Sequence, residues 1–427
     1  MTEGRIGSSS SATPGNRVLW VLLLAYIFNF IDRQIIGVLA IPIKAELGLT
    51  DTQLSLMGGI AFALFYSGIA IPVAWLADRK NRVNIIAASV ALWSAFTALC
   101  GLAQNFWQLF LARMGVGIGE AGGVAPSYAV ISDLFPKELR ARALAFFSLG
   151  IPIGSALGVF FGGWIAANLN WRWAFIIVGL AGIPAAVLVK SCIREPVRGG
   201  YDTVDGAASE PAPPFGTVAG QLARTPSFWL LSLGAASGSI LGYGLIFWLP
   251  SFFSRSMGLS LTEVSWYYGS IVLVGGVAGT YMGGWLGDRV GPNSPGAYAR
   301  IPAICFLISA PVFAGALFVP SLAVAWPLFV IGQLLALAWL GPVIAAVQHI
   351  VPPNMRATAS ASFLFINNLI GIGFGIFFFG FMSDRMTGTF GNEALRYSIL
   401  FGLGFYLLSS LLYFVASRRL PRDWFGG

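Results

Sequence analysis

"AWLADR" at residues 74–79 recurs as "GWLGDR" at residues 284–289, and this repetition is the strongest indication of the fold. A second pair of segments, "FPKELRARA" at 135–143 and "VPPNMRATA" at 351–359, repeats with an offset of 216 residues, close to the 210 residues that separate the first pair. Two independent matches at nearly one offset indicate that the chain consists of two duplicated halves. Each of these segments follows a long apolar run, so each half is predicted to be a set of membrane-spanning helices.

The composition requires a lipid environment. Hydrophobic residues make up 57% of the 427 residues and charged residues only 10%, which is too apolar for one water-soluble core. The net charge of +8 does not indicate nucleic-acid binding, because lysines and arginines are scattered between apolar runs instead of clustering on one face. The three cysteines are far apart, which excludes a disulfide framework and a cysteine metal site.

Apolar runs long enough to cross about 30 Å of hydrocarbon need about 20 helical residues each. Twelve such runs lie at 17–43, 52–77, 83–104, 106–132, 143–167, 173–191, 226–253, 262–287, 300–320, 322–349, 358–382 and 394–416. The predicted fold class is therefore an all-α membrane protein with twelve transmembrane helices in two pseudo-symmetric six-helix halves. The predicted parts are an N-terminal tail at 1–16, a first bundle at 17–191, a flexible polar linker at 192–225, a second bundle at 226–416 and a tail at 417–427.

The distribution of lysine and arginine predicts the orientation in the membrane. Segments on the side of the linker and both tails contain 18 of these cations, and the loops on the opposite side contain 5. Cytoplasmic loops of membrane proteins are enriched in lysine and arginine. We therefore expect the tails and the linker in the cytoplasm, in a multi-pass protein of a bacterial inner membrane.

Four ionisable residues lie inside predicted spans, and each costs at least about 2.5 kcal/mol at the middle of a bilayer. Asp32 and Arg33 are in the first span, and Arg113 and Glu120 are in the fourth. At about 1.5 Å per residue, Arg113 is level with Asp32, and Glu120 lies about 10 Å deeper on the face of Arg113. We predict that Asp32 pairs with Arg113 and that Arg33 reaches Glu120.

Two interpretations of this cluster remain open. It is either a set of structural ion pairs that fixes the packing of spans 1 and 4, or a functional site. In the functional site, Asp32 or Glu120 binds a proton while Arg33 and Arg113 bind an anionic group. The positions 216 residues after the two charges of span 4 are apolar, so the second half lacks their counterparts. This asymmetry favours the functional site, because charges inside a membrane are costly and usually functional.

Three segments resemble signature segments of the major facilitator superfamily: the loop pattern "GxLaDRxxR" after span 2, "RMGVGIGEAGG" in span 4 and "NWRWAF" before span 6. The loop departs from that pattern at Ala74 and Asn81, where glycine is usual. The combination of "FIDRQIIGVLA" in span 1 with "RMGVGIGEA" in span 4 is similar to the spinster family of lysolipid and sphingolipid transporters. "DR" in span 1 also occurs in organic-anion symporters of the same superfamily.

The spinster resemblance implies roles for the four buried charges. It implies that Asp32 and Glu120 take part in proton coupling and that Arg33 and Arg113 bind the head group of the substrate. The superfamily resemblance also implies a cytoplasmic gate made of charged residues near the repeated loops. The candidates for this gate are Asp78, Arg79, Asp133, Arg140, Asp288, Arg289 and Arg356.

Two further patterns concern the interior of the bundle. Tyr243 in span 7 and Asn367 and Asn368 in span 11 lie deep enough to line a central cavity. Four glycines repeat every four residues in span 5, which places them on one helix face where two backbones can approach closely. We expect a packing face at Gly150, Gly154, Gly158 and Gly162.

These observations favour a proton-coupled secondary transporter that works by alternating access. A cavity that is charged on one side and apolar on the other suits an amphiphilic lipid such as a lysophospholipid or a sphingolipid. A proton-coupled symporter of a small organic anion is the alternative, and a channel or receptor without coupled transport is the third hypothesis.

The sequence also predicts what the protein lacks. No phosphate-binding loop of the GxxxxGK[ST] pattern is present, which argues against direct use of ATP. We expect no enzymatic activity, no catalytic residue, no metal and no cofactor, with protons as the coupling ion. The expected partners are the lipid bilayer and an amphiphilic small-molecule substrate, not nucleic acid, and the chain is expected to function as a monomer.

Overall fold

The structure, a computed structural model, describes residues 14–77, 79–197, 213–290, 294–352 and 355–425. Regular secondary structure within these ranges is helical, and no strand occurs among them. The predicted all-α fold is therefore confirmed.

The first half is built from short and long helices that follow one another with brief interruptions. They are α1 (Pro14–Val38), α2 (Ala40–Leu47), α3 (Asp51–Gly58), α4 (Ile60–Ala77), α5 (Arg82–Cys100), α6 (Phe106–Glu120), α7 (Val124–Leu134), α8 (Lys137–Ser148), α9 (Gly150–Asn168) and α10 (Trp171–Cys192).

The predicted linker contains one described helix, α11 (Phe215–Arg224), which buries Val218 and Leu222. This part of the predicted linker is helical, and residues 198–212 lie outside the described residues. The helices of the second half follow. They are α12 (Pro226–Met257), α13 (Leu261–Val290), α14 (Ala297–Phe318), α15 (Leu322–Leu337), α16 (Leu340–His349), α17 (Arg356–Phe390), α18 (Ala394–Gly402) and α19 (Gly404–Asp423).

Among the described residues, ten helical stretches are long and apolar enough to cross a membrane. The last of them, Thr358–Asp423, is 66 residues long and covers two predicted spans. The predicted fourth span is absent from the ten because three residues interrupt it between α6 and α7. These two observations account for the difference between ten stretches and twelve predicted spans.

The fourth and tenth spans are interrupted at equivalent positions of the two halves. Helix α6 ends at Glu120 and α7 begins at Val124, and about one repeat further on α15 ends at Leu337 and α16 begins at Leu340. Matching breaks in both halves are the structural counterpart of the repeated segments. In the first half, the break directly follows a carboxylate that lies inside the membrane.

Helix α9 packs on α1 through its glycines. A methyl group added to any of four glycines would lie between 2.5 and 3.0 Å from the nearest atom of α1, which leaves no room for a side chain. These are the predicted glycines Gly150, Gly154, Gly158 and Gly162. The predicted packing face is confirmed, and its partner is the helix that carries Asp32 and Arg33.

The two halves meet closely at one end of the bundle. We call the end that carries α11 and the last residues of α19 the linker end, and the opposite end the far end. At the far end, Gly37 and Gly58 lie against Phe247 of α12, and Gly59 lies against Gly373 of α17. These contacts close the far end between the halves.

Candidate functional site

Arg33 and Glu120 form an ion pair between α1 and α6. The Nε–H of Arg33 donates to Oε2 of Glu120 over 2.6 Å. The Glu120 side chain is fully buried, whereas the Arg33 side chain keeps 15% of its exposure. The predicted contact is confirmed, and the arginine is the member of the pair that a ligand inside the bundle can reach.

Three aromatic rings surround the Arg33 guanidinium. Its central carbon lies 5.1 Å from the ring centroids of Phe30 and Phe62 and 4.6 Å from that of Tyr66. An aromatic face attracts a cation, and the attraction grows when water is excluded. Sequence reasoning missed these rings. A signal was available in their spacing, because Phe30 precedes Arg33 by three residues and the other two rings are four residues apart on one helix face.

The side chain of Arg113 contacts the backbone of Asp32. Its Nη1 donates to the carbonyl oxygen of Asp32 over 3.3 Å, and Arg113 is only 2% exposed. The prediction that the Asp32 carboxylate accepts this bond is therefore corrected. A carbonyl oxygen has two lone pairs, so it can accept a second donor in addition to one within its own helix.

Several buried polar atoms of this cluster have no hydrogen-bond partner among the described residues. They are Asp32 Oδ1, Glu120 Oε1, Arg33 Nη2 and Arg113 Nε. A buried polar group without a partner costs about 1–3 kcal/mol. A set of ion pairs that served packing alone would satisfy more of its atoms. The unsatisfied atoms therefore favour a site that binds a ligand or a proton.

The glycines of "RMGVGIGEAGG" determine which way the charges of α6 point. A methyl group on Gly119 would lie 2.6 Å from the backbone nitrogen of Trp93 in α5, so the two helices touch there. On another face of α6, a methyl group on Gly117 would lie 3.2 Å from the backbone of Phe62. Because these faces are packed against α5 and α4, Arg113 and Glu120 are directed toward α1.

The three predicted lining residues of the second half form one hydrogen-bonded group. Asn367 Nδ2 donates to Asn368 Oδ1 over 3.3 Å, and the Tyr243 hydroxyl donates to the same oxygen over 3.5 Å. Ser239 Oγ donates to Asn367 Oδ1 over 2.8 Å. Tyr243 is close enough to Arg33 to interact with it electrostatically. The second half thus places neutral hydrogen-bonding groups beside a cation of the first half.

A cluster of charges ties the two halves together at the far end. Arg255 of α12 donates to both carboxylate oxygens of Asp51 over 2.6 and 2.7 Å, and Lys44 Nζ lies 2.6 Å from the same carboxylate. Ser383 of α17 also donates to it, over 2.8 Å. Sequence reasoning missed this cluster because its members are single polar residues at span ends, and Asp51 and Ser383 are 332 positions apart.

Asp384 completes the cluster from the second half. Its carboxylate accepts from the backbone N–H of Asp51 over 3.1 Å and from that of Thr52 over 2.7 Å. The first N–H groups of a helix have no partner within the helix, so a carboxylate placed there is stabilising. We call Asp51, Arg255, Ser383 and Asp384 the far-end latch.

The predicted cytoplasmic gate lies at the linker end, and Asp78 is outside the described residues. Asp133 accepts a hydrogen bond from Arg82 over 2.6 Å, and Arg82 also donates to Glu195 over 2.6 Å. Neither Arg82 nor Glu195 was predicted, although Arg82 is the last arginine of the quoted loop pattern. Of the other predicted members of this gate, Arg140 is half-buried and Asp288 is exposed.

The remaining predicted gate residues show contacts with their own half. The guanidinium of Arg79 lies 4.0 Å from the Trp75 ring, and that of Arg289 lies 5.2 Å from the Trp285 ring. These two pairs occupy equivalent positions of the repeat. Arg356 donates to a backbone carbonyl oxygen at the end of α16 over 3.1 Å. The far-end latch, in contrast, joins one half to the other.

Two repeated helical halves around a buried charged site define a membrane transporter. The family model described as Major Facilitator Superfamily matches residues 22–375. The chain is 35% identical over 428 residues to the "MFS-type efflux pump" of Mycolicibacterium smegmatis, a match that covers 99% of this chain and 98% of that one. It is 30% identical over 377 residues to "Protein spinster" of Drosophila melanogaster, covering 86% of this chain and 61% of that one.

A solved structure is similar over nearly the whole chain. It is described as a bacterial homolog to the human lysosomal transporter Spinster in an inward-facing and unoccupied conformation. The TM-score is 0.88 at 34% identity, and the match covers 98% of this chain and 100% of that chain. The chain therefore belongs to the major facilitator superfamily, in which it is a transporter of the spinster type.

Proposed function

We propose that this chain carries a single-chain amphiphilic lipid, such as a lysophospholipid or a sphingolipid, across a bacterial inner membrane by proton-coupled alternating access. In this proposal the tails and the linker lie in the cytoplasm, so the far end faces outward. The observation that carries the proposal is the position of Arg33, which is shared between the Glu120 carboxylate and three aromatic rings.

Coupling follows from competition for the Arg33 guanidinium. An ionised Glu120 holds this group through a short ion pair. A proton on Glu120 removes the negative charge and leaves the guanidinium as a donor for an anionic group of the substrate. Binding of a proton and binding of the substrate then favour each other, which is the requirement for coupled transport.

The surroundings of Arg33 support an amphiphilic substrate. A guanidinium matches the geometry of a phosphate group through paired N–H donors. The rings of Phe30, Phe62 and Tyr66 supply apolar surface directly beside it, where the first carbons of an acyl chain would lie. The neighbouring hydrogen-bonded group around Tyr243 is neutral, so a substrate needs no second charged group to bind beside it.

Uptake of labelled lysophospholipid into proteoliposomes with an imposed pH gradient tests this proposal. The wild type should accumulate the lipid only when the gradient is present. Glu120→Gln keeps the shape and removes the charge, so we expect the response to the gradient to disappear. Arg33→Ala should lower the apparent affinity at least about 10-fold, because it removes the donors for the head group.

Arg385→Ala is the matched control for this experiment, because Arg385 is an exposed arginine that lies over Phe381 of its own helix. It should transport like the wild type. Accumulation by the wild type without a gradient would contradict proton coupling. Equal competition by a small organic anion would instead support an organic-anion symporter.

Export of amphiphilic compounds in general is a second candidate function. It is favoured by the name of the Mycolicibacterium smegmatis relative, which is described as an efflux pump. Everted membrane vesicles that accumulate a lipophilic dye but no lysophospholipid would support this candidate. Accumulation of lysophospholipid alone would support the lipid carrier.

A further inference from the structure

A small cavity lies inside the first half, on the linker side of Glu120. Its volume is about 10 Å³, close to the smallest space that holds one water molecule. It is enclosed by α1, α5, α7 and α8. The residues that line it include Ala25, Tyr26, Asn29, Trp93, Gly123 and Ser127.

Two buried polar side chains that line this cavity lack partners. Asn29 is 1% exposed, and neither its Nδ2 nor its Oδ1 has a hydrogen-bond partner among the described residues. Trp93 is 2% exposed, and its Nε1 is likewise without one. A buried water typically makes about three hydrogen bonds to polar groups that are otherwise unsatisfied. The cavity therefore has both the volume and the donors and acceptors for one water.

Asn29 connects the cavity with the surroundings of Glu120. Asn29 lies four residues before Arg33 on the same face of α1, and its side-chain amide is a polar neighbour of the Glu120 carboxylate. Gly123, which lines the cavity, follows Glu120 by three residues. Oε2 of Glu120 is engaged by Arg33, whereas Oε1 has no partner among the described residues. Oε1 of Glu120 is therefore the oxygen that is available to exchange a proton with water.

We propose that one water molecule occupies this cavity, held by Asn29 and Trp93, and that it relays protons between Glu120 and the linker end. The proton then travels inside the first half, and the substrate travels between the halves. In a transfer toward Glu120 the water donates one proton to Oε1 and accepts another from a hydronium ion at the linker end, so it is restored, and release of the proton follows the same steps in reverse. Asn29 and Trp93 are positioning residues, and neither changes its protonation.

Charged and titratable groups face Glu120 from several elements. They are Asp32 and Arg33 of α1, Arg113 of α6 and, around Arg33, Tyr66 of α4 and Tyr243 of α12, while Tyr26 lines the cavity itself. Of these groups, Tyr26 is the one placed along the route from the linker end. The other groups surround the ion pair and set the charge balance on its substrate side.

The inference rests on the proposed proton coupling, so its test uses two assays on the full chain in proteoliposomes. The first is accumulation of labelled lysophospholipid driven by a pH gradient. The second is exchange of labelled for unlabelled lysophospholipid at equal pH on both sides. Exchange needs substrate passage without net proton delivery, whereas accumulation needs both.

Two variants remove the water by different means. Asn29→Leu keeps the side-chain size and removes both polar atoms, and Ala25→Val fills the cavity without touching a polar group. We expect both to reduce gradient-driven accumulation about 10-fold or more while exchange is retained, because a positioned proton donor is lost. Asn29→Ser keeps a hydrogen-bonding group and should retain both activities.

Ser94→Ala is the matched control. Ser94 is buried in α5 beside Trp93, and its Oγ also lacks a partner among the described residues, but it does not line the cavity. Full accumulation by Asn29→Leu and Ala25→Val would overturn the water path, and so would an equal loss of accumulation and exchange. A wild type that ignores the gradient would instead overturn the proposed coupling itself.

Discussion

Arg33 is held by two different kinds of contact, an ion pair with Glu120 and packing among three aromatic rings. The ion pair needs a positive charge at the right place. Packing between rings needs a flat, delocalised cation, which arginine provides and lysine does not. A change to lysine therefore separates the two contributions.

We expect Arg33→Lys to retain transport that depends on the pH gradient, with an apparent affinity for lysophospholipid lowered about 10-fold. The concentration dependence of uptake measures this affinity. Arg385→Lys is the matched control, because Arg385 lies 5.0 Å from the Phe381 ring and is exposed. An unchanged affinity in Arg33→Lys would show that the rings contribute nothing to substrate binding.

The four buried charges could be predicted from the sequence because ionisable residues stand out within apolar runs. Helix geometry also gave the correct depth, and the contact between Arg33 and Glu120 followed from it. The acceptor of Arg113 could not be predicted in this way. Depth along a helix does not say whether a guanidinium reaches a carboxylate or a carbonyl oxygen 81 positions away.

Close helix contacts through glycine fix the relative positions of the helices that carry the site. Helix α6 touches α5 at Gly119, one residue before Glu120, and α1 touches α9 along its glycine face. The carboxylate and its arginine partner therefore sit on helices that cannot shift without loss of these contacts. A methyl group at the right glycine is expected to displace the ion pair.

Gly119→Ala is expected to lower stability by about 1–3 kcal/mol, because the added carbon overlaps the backbone of Trp93. Thermal unfolding in detergent measures the change, and transport should fall with it. Gly68→Ala in α4 is the control, since an added methyl group meets nothing within 4 Å there. A Gly119 variant as stable and active as the Gly68 variant would contradict the packing argument.

The glycine face of α9 was predictable because a spacing of four residues marks one side of a helix. The far-end latch was not predictable at this level. Asp51 and Arg255 are 204 positions apart, and each is a single charge beside a span end, where charged residues are ordinary. Only the packing of the two halves brings them together.

The far-end latch holds the whole molecule closed on one side. Asp51 is 1% exposed and receives donors from both α12 and α17, so its charge is essential to the contact. Loss of one partner in a buried ion pair is costly because the other charge is left uncompensated. The balance between the state closed at the far end and the state open there therefore depends on this carboxylate.

Asp51→Asn is expected to shift the population toward the state open at the far end. Spin labels at the exposed positions Gln104 and Thr389, one in each half, should report a longer distance in this variant. Glu46→Gln is the control, because Glu46 pairs with Arg172 of its own half over 2.7 Å.

Hydrogen bonds from Arg172 and Trp171 lower the pKa of Glu46, so that pair stays ionised in the control measurements near neutral pH. A distance distribution that is the same in Asp51→Asn and in the wild type would contradict a gating role for the latch. A shift in Glu46→Gln of equal size would show that any far-end ion pair has the same effect.

The four charges inside the bundle cancel when Asp32, Arg33, Arg113 and Glu120 are all ionised, so the empty carrier moves no net charge when it reorients. One proton together with a head group of charge −1 preserves this balance. A proton with a zwitterionic head group adds one positive charge, and moving it through the membrane potential is worth about 2.3 kcal/mol per 100 mV. In the proposed coupling, the charge of the lipid itself thus decides whether transport is electroneutral or driven by voltage.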